Sequence, residues 1–198
     1  MPETIDLPRS KRLKALTHEI HDRLDKSIME ASSFDSIEGY VRFAGVQWTF
    51  HRDIDALYEN ADLMVLLPGL PERRRLSLIA ADLADLRSGT PTVETPPAFQ
   101  HCRAVDTAAA LGWLYVAEGS NLGAALLRKA AAKLGLSDNH GARHLAPAGE
   151  GPAAHWRAFT AALDAAVLTQ DEEDRVVAGA KAAFTRVQAL ANTALGRA

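Results

Sequence analysis

Apolar residues recur every three to four positions over most of this chain, which is the spacing of one buried face of an α-helix. Alternating runs rich in valine and isoleucine, typical of half-buried strands, do not occur in the sequence. The pattern therefore predicts an all-α protein of at least six helices. Their approximate bounds are 10–30, 34–60, 71–87, 104–134, 152–166 and 170–195.

Proline and glycine mark the segments between these helices, as expected because both residues interrupt helical structure. PGLP at 68–71 contains two prolines, and SGTPTVETPP at 88–97 contains three. Helix starts are marked as well. Serines from Ser33 to Ser36 precede the second helix, and Thr169 with Glu172 has the spacing of a capping box at the last one.

Composition narrows the class of protein. Of the 198 residues, 47% are apolar and 24% are charged, which is ordinary for a globular domain. A net charge of −3 indicates no nucleic-acid partner, and the single Cys102 excludes an internal disulfide. Neither a signal peptide nor a membrane-spanning run is visible. We predict a cytoplasmic monomer with one domain at 10–198 behind a flexible N-terminus at 1–9.

The fourth helix contains glycines that a helix would normally avoid, since each costs roughly 1 kcal/mol relative to alanine. At 3.6 residues per turn, Gly112, Gly119 and Gly123 lie within about 40° of one another around the axis, and Tyr115 lies on the same side. Three explanations fit this glycine face. It could pack closely on another helix, form a kink at the Gly-Ser pair, or hold a flat ligand against the backbone.

Among seven histidines, none has the spacing of a zinc site. His21 lies at the margin of the apolar stripe of the first helix, with Asp25 four residues later. This histidine is either an ordinary packed residue or an axial ligand of iron with Asp25 as its carboxylate partner.

Two further features allow two interpretations each. Gln47 and His51 share one face of the second helix, where they could order water in a pocket or form a simple surface pair. The run PERRRL places Arg75 and two neighbouring arginines at a helix start. Positive charge is unfavourable there, which suggests a specific use for at least one of them.

Four segments resemble bacterial haem oxygenases, in the same order and over nearly the whole chain. They are LTHEIHDRLD at 16–25, GWLYVAEGSNLGAALL at 112–127, GARHLA at 141–146 and WRAFTAALD at 156–164. The resemblance implies a single-domain, all-α, multi-helical fold with haem sandwiched between a proximal helix and a kinked distal helix.

The implied reaction is the cleavage of haem b, both substrate and cofactor, to biliverdin, CO and Fe²⁺. It uses O₂ and electrons from an external reductase or ferredoxin. The match makes His21 the axial iron ligand, and Gly119 and Gly123 the glycines that face the macrocycle. Ser120 stands where the mammalian branch has aspartate, and Asp25 stands where relatives have glutamate.

The resemblance also assigns the remaining site positions. Gln47, His51 and Arg75 match residues that hold a distal water network, and Phe184 matches an aromatic residue that lines the pocket. Lys14 and Tyr115 match the pair that binds the haem propionates in relatives that cut at the α carbon.

These two positions predict the biliverdin IXα isomer. In the branch of the family that seats haem in a rotated position, lysines elsewhere take over this role. Here Met29 and Ala130 occupy the positions of those lysines. The purpose would be iron release or supply of biliverdin to a bacterial phytochrome. Two alternatives are a non-catalytic haem carrier or sensor, and a thiaminase-like helical protein in which Cys102 would be the nucleophile.

Overall fold

The computed structural model describes residues 7–30 and 33–196, apart from the side chains of residues 29 and 30. These residues form seven α-helices, three short 3₁₀ helices and no strand, so the predicted all-α class is confirmed. The α-helices are α1 (Arg9–Glu30), α2 (Ile37–Ile54), α3 (Ala61–Leu66), α4 (Leu76–Asp85), α5 (Thr107–Lys133), α6 (Pro152–Ala165) and α7 (Gln170–Ala194). Of the predicted flexible N-terminus, residues 1–6 lie outside the described residues, and α1 begins at Arg9.

The predicted caps are present. The Ser36 side chain accepts a hydrogen bond from the N–H of Gly39, and Thr169 and Glu172 form a reciprocal capping box. The region after α2 departs from the prediction of one helix over 34–60. There the chain tightens into a 3₁₀ helix at Asp55–Glu59, and α3 follows as a separate short helix capped by Asn60.

Helix α7 packs most extensively on α5, and Gly112 and Gly179 bring the two backbones together. A Cβ atom added at Gly112 would lie 2.1 Å from the Val176 carbonyl oxygen, and one at Gly179 would lie 2.1 Å from that of Ala109. Neither distance is physically possible, so both glycines are required by helix packing. The first explanation of the glycine face therefore holds for Gly112.

Helix α1 is attached to the rest of the protein through α6 and α7. The buried Arg9 guanidinium donates to the carbonyl of Ala166 at 2.8 Å and to Glu173 at 2.6 Å, and it also contacts the carbonyl of Leu163. The Ser10 hydroxyl donates to Asp164 at 2.8 Å. Within the described residues α1 makes little direct contact with α5, and the resemblance places the haem cleft between these two helices. No described helix is long and apolar enough to cross a bilayer.

Candidate active site

His21 lies on the α1 wall of the cleft, and α7 supplies the surface behind it. The ring centroid of His21 is 5.7 Å from that of the buried Phe184, in an edge-to-face arrangement. The His21 side chain is nevertheless 54% exposed. It is therefore supported on one edge and accessible on the cleft side, as a ligand of an incoming metal must be.

One ring nitrogen of His21 faces carboxylates. Its Nδ1 is 3.4 Å from Asp25 Oδ2 and 3.9 Å from Asp22 Oδ1. A proton held on Nδ1 by this negative charge leaves the Nε2 lone pair free, which is the tautomer required for metal binding through Nε2. Asp25 thus reaches His21 despite its shorter side chain, at the distance of an ion-pair contact.

The opposite wall is the face of α5 that contains Gly119 and Gly123. A Cβ added at Gly123 would meet no described atom within 4 Å, and one at Gly119 would make only ordinary contact, 3.7 Å, with Trp156. Neighbouring Leu126 is 75% exposed on the same helix. Protein packing therefore does not account for these two glycines, whereas a flat apolar ligand approaching the backbone would.

Helix α5 continues as uninterrupted α-helix through the glycines, so the bend expected there stays a prediction. The Ser120 hydroxyl donates to the carbonyl oxygen of Ala117 at 2.6 Å. Such back-bonding commits the hydroxyl to its own helix. Ser120 consequently has no free proton to offer to the cleft in this conformation.

His51 and Arg75 lie close together behind this wall. His51 is 3% exposed, and burial, followed by the charges of Arg75 and His144, lowers its pKa to about 3. It is therefore a neutral imidazole, and its Nδ1 has no hydrogen-bond partner among the described residues. Arg75 Nη1 donates to the His144 carbonyl, while its Nε is buried without a described partner. Gln47 lines a small pocket between the ends of α1, α2 and α7.

A buried Asp–His pair, which the sequence patterns do not identify, adjoins these residues. The Nδ1 atom of His144 is 2.8 Å from Oδ2 of Asp82, a fully buried carboxylate. Asp82 also accepts the backbone N–H groups of Arg143 and His144 at 2.9 and 3.0 Å. These hydrogen bonds, outweighing burial, lower the pKa of Asp82 and keep it ionised. GARHLA was a visible motif, but no spacing rule joins it to Asp82 on α4.

Glu118, directly before the first cleft glycine, is a second group that periodicity does not single out. It is 2% exposed, and its Oε2 accepts a hydrogen bond from Arg73 at 2.8 Å. The charged Glu118 within the apolar run YVAEG indicates a buried partner of opposite charge. The sequence does not show which arginine of the run PERRRL is that partner. The structure shows that this arginine is Arg73, not Arg75.

The predicted propionate pair lies on the two walls. Lys14 is exposed on α1, and Tyr115 is mostly buried on α5, where its ring centroid is 5.6 Å from that of Trp156. Burial, and then the charge of Asp164, raises the pKa of the Tyr115 phenol, which therefore stays protonated and able to donate a hydrogen bond. The side chain of Met29 lies outside the described residues, and Ala130 is half-buried on α5.

Fold and candidate site together describe an all-helical protein with an accessible histidine on α1 and uncrowded backbone at two glycines of α5. Comparison of the chain with known protein families shows which family it belongs to. The Heme oxygenase family model matches residues 7–193, and the chain belongs to the haem oxygenase family. It is an enzyme of haem degradation, as the sequence predicts.

Individual proteins similar to this chain support the same family. Heme oxygenase PigA of Pseudomonas aeruginosa is 45% identical over 180 residues, which cover 90% of this chain and 88% of PigA. A crystal structure of NO- and CO-bound heme oxygenase from Neisseria meningitidis superposes with a TM-score of 0.90 and 39% identity, covering 98% of this chain and 94% of that one. Heme oxygenase from Leptospira interrogans, at 18% identity, shares the fold with a TM-score of 0.73 over 94% of this chain and all of the other.

Proposed function

We propose that this enzyme binds haem in the cleft between α1 and α5, with His21 Nε2 as the axial ligand of iron. The products are biliverdin IXα, CO and Fe²⁺, and the electrons come from a separate reductase or ferredoxin. The observation that carries the proposal is the pairing of an accessible, carboxylate-backed imidazole with two glycines at which a Cβ atom would meet either no described atom or only ordinary contact with Trp156. Haem supplies the iron that binds O₂ and the macrocycle that is opened.

On the proximal side, the protein supplies one ligand and fixes the orientation of its ring. Asp25 holds the Nδ1 proton, and Phe184 limits rotation of the imidazole ring. A neutral histidine donates less electron density than a cysteine thiolate, whose push favours O–O cleavage. This choice of ligand suits a reaction in which the oxygen must attack the macrocycle.

On the distal side, Gly119 and Gly123 leave room for the macrocycle, and buried polar groups supply protons through water. His51 is neutral and has an unpartnered nitrogen, so it can accept or donate a hydrogen bond to water. Arg75 adds an unpartnered N–H nearby, and Gln47 an amide on α2. Ser120 is occupied by its own helix, which leaves this network as the proton source.

The seating of haem in its plane selects the meso carbon that is cut. Lys14 supplies a cation for one propionate from α1, and Tyr115 supplies a protonated phenol from α5. We propose that these two contacts place the α carbon beside the reacting oxygen. A phytochrome that takes the α isomer as chromophore would be a fitting acceptor of the product; release of iron is the other purpose.

The test is a single turnover of purified protein mixed with one equivalent of hemin, a competent electron donor and air, with catalase present. Loss of the haem absorption band and chromatographic identification of biliverdin IXα would support the proposal. A mainly β or δ product would contradict the seating argument. A stable haem spectrum with no pigment would indicate a haem carrier or sensor.

A paired variant tests the seating directly. Lys14→Ala combined with Tyr115→Phe is expected to lower the share of the α isomer and to leave haem affinity within about threefold of wild type, because the axial ligand and the apolar contacts of the macrocycle are both retained. Lys11→Ala is the matched control, since Lys11 is exposed one turn earlier on the same helix. An unchanged isomer ratio in the double variant would remove these residues from the seating role.

A further inference from the structure

A chain of titratable side chains runs from the surface to the back of α5. Glu150, in the loop before α6, is 54% exposed, and its Oε1 is 2.8 Å from His155 Nδ1. The other ring nitrogen, Nε2, is 3.4 Å from Oε2 of the buried Glu118. Imidazole therefore lies between a carboxylate in solvent and a carboxylate in the core. It is hydrogen-bonded to the first, whereas its Nε2 lies near the second without a hydrogen bond among the described residues.

We propose that Glu150, His155 and Glu118 form a proton path from solvent to the buried polar groups behind the cleft glycines. Imidazole can take a proton at Nδ1 from the Glu150 side and release one at Nε2 toward Glu118, so that one proton crosses the ring. The ring is then neutral in its other tautomer and must return to the first before the next transfer. The inference rests on the proposed function in one respect: haem cleavage at the cleft is what consumes the protons.

The charges around His155 keep it ready to carry a proton. Glu118 first, and Glu150 after it, raise the pKa of His155, against burial and the positive charge of Arg73, which lower it. His155 in turn lowers the pKa of Glu150. The groups that face the imidazole are thus Glu118 from α5, Arg73 from the short helix Pro71–Arg73, and Glu150 from its own loop.

Unpartnered polar atoms continue the path inward from Glu118. Oε1 of Glu118, the hydroxyl of Tyr58 and Nε of Arg75 are all buried without a hydrogen-bond partner in the part of the chain that the structure describes. Tyr58 lies near both of the other groups, because the charges of Glu118 and Arg75 act on its phenol. Buried polar atoms of this kind normally bind internal water, which conducts protons. Water bound beside the N–H of Arg75 would then extend the path to His51.

The contacts argue against a purely structural role for the imidazole. Glu118 already has a direct hydrogen bond at 2.8 Å from Arg73, which neutralises its charge. Arg73 also donates to the backbone carbonyl of His155 at 3.1 Å and therefore holds α6 in place independently of the imidazole. The 3.4 Å contact of His155 with Glu118 adds little to this attachment, but it suits intermittent proton transfer.

The experiment compares wild type with His155→Gln, His155→Ala and Glu150→Gln in single turnover between pH 6 and 9. We expect the His155 variants to form biliverdin at least tenfold more slowly at the alkaline end, since a positioned proton donor typically contributes a hundredfold or more. Imidazole added to His155→Ala should restore much of the rate. Glu150→Gln should have a smaller effect in the same direction. His101→Gln is the control, because His101 is an exposed histidine that also contacts two carboxylates.

A second readout needs no haem. NMR titration of the ligand-free protein should place the pKa of His155 above its usual value of about 6.5, and Glu118→Gln should lower it. Unchanged rates in all variants would overturn the path, and so would a loss of rate that imidazole does not restore and that is equal at every pH. Absence of biliverdin from wild type would instead refute the proposed function.

Discussion

Gly112, Gly119 and Gly123 lie on one side of α5, and only the first is enclosed by protein. A side chain at Gly112 would overlap the α7 backbone, whereas one at Gly123 would enter open space. The periodicity of the sequence places the three residues on one face correctly. It could not separate their roles, because the enclosing helix contributes Gly179 from a distant part of the chain.

Because of this difference, replacing glycine by alanine should change stability in opposite directions at Gly123 and at Gly112. Gly123→Ala is expected to raise the free energy of unfolding of the ligand-free protein by about 0.5–1 kcal/mol, because alanine is the better helix former and meets no neighbour. The same variant should bind haem more weakly and turn it over more slowly. Urea denaturation and haem titration measure the two quantities.

Gly112→Ala is the matched control, and it should lose stability instead, because its Cβ has no room. If Gly123→Ala bound and cleaved haem as wild type does, the second glycine would not face the macrocycle.

At the scale of elements, the sequence predicts helices best where a cap and a long apolar stripe agree, as at α7. The predicted helix over 34–60 instead ends as a 3₁₀ helix, and the short α3 after residue 60 is not among the predicted helices. The Asn60 cap starts a new helix there, and periodicity does not detect this local chemistry. Packing partners are also beyond periodicity, and the attachment of α1 is the main example.

Arg9 is expected to control that attachment. Arg9→Met should lower the free energy of unfolding by about 2–4 kcal/mol, because it leaves two carbonyls and part of the Glu173 charge without their buried donor. Amide hydrogen exchange should accelerate in α1 more than in α5. Lys11→Met removes an exposed cation nearby and should change neither quantity by more than about 0.5 kcal/mol. Equal exchange rates in α1 of both variants would show that other contacts hold this helix.

At the scale of the whole molecule, the family resemblance gives the cleft and its two walls, while the polar interior behind the distal wall comes only from the structure. Asp82, Glu118, His144 and His155 belong to four separate segments. Asp82 and His144 pair where α4 packs on the 3₁₀ helix Arg143–Leu145, and Glu118 and His155 meet where α5 packs on α6. No spacing along the chain encodes these contacts. The resemblance therefore predicts the haem ligand and the network of Gln47, His51 and Arg75, but not these buried pairs.

The buried neutral His51 predicts how the whole protein responds to acid. Its folded pKa of about 3 lies below the unfolded value near 6.5, so below pH 6.5 the unfolded chain binds a proton that the folded chain does not. Stability should fall as the pH is lowered through this window, by about 1.4 kcal/mol per unit from this group alone. Compared with His51→Gln, wild type should lose about 2–3 kcal/mol more between pH 7 and pH 4.5, as measured by urea denaturation.

His155 contributes with the opposite sign, since its folded pKa is raised and its stabilisation is lost as the pH rises. Because both proteins contain His155, the comparison cancels its effect. Parallel stability curves for wild type and His51→Gln would contradict this prediction, because they would mean that His51 binds a proton equally well in the folded and unfolded chain.

The weak contact between α1 and α5 means that the two walls of the cleft are joined through α6 and α7 rather than to each other. In the proposed binding mode a rigid, planar substrate completes this interior, coordinated from one wall and packed against the other. Ring opening converts the planar macrocycle into a flexible linear tetrapyrrole, which can no longer hold the two walls together. In this binding mode each turnover removes the plate that joins the two walls. We therefore expect α1 and α5 to separate after ring opening, once that plate is lost.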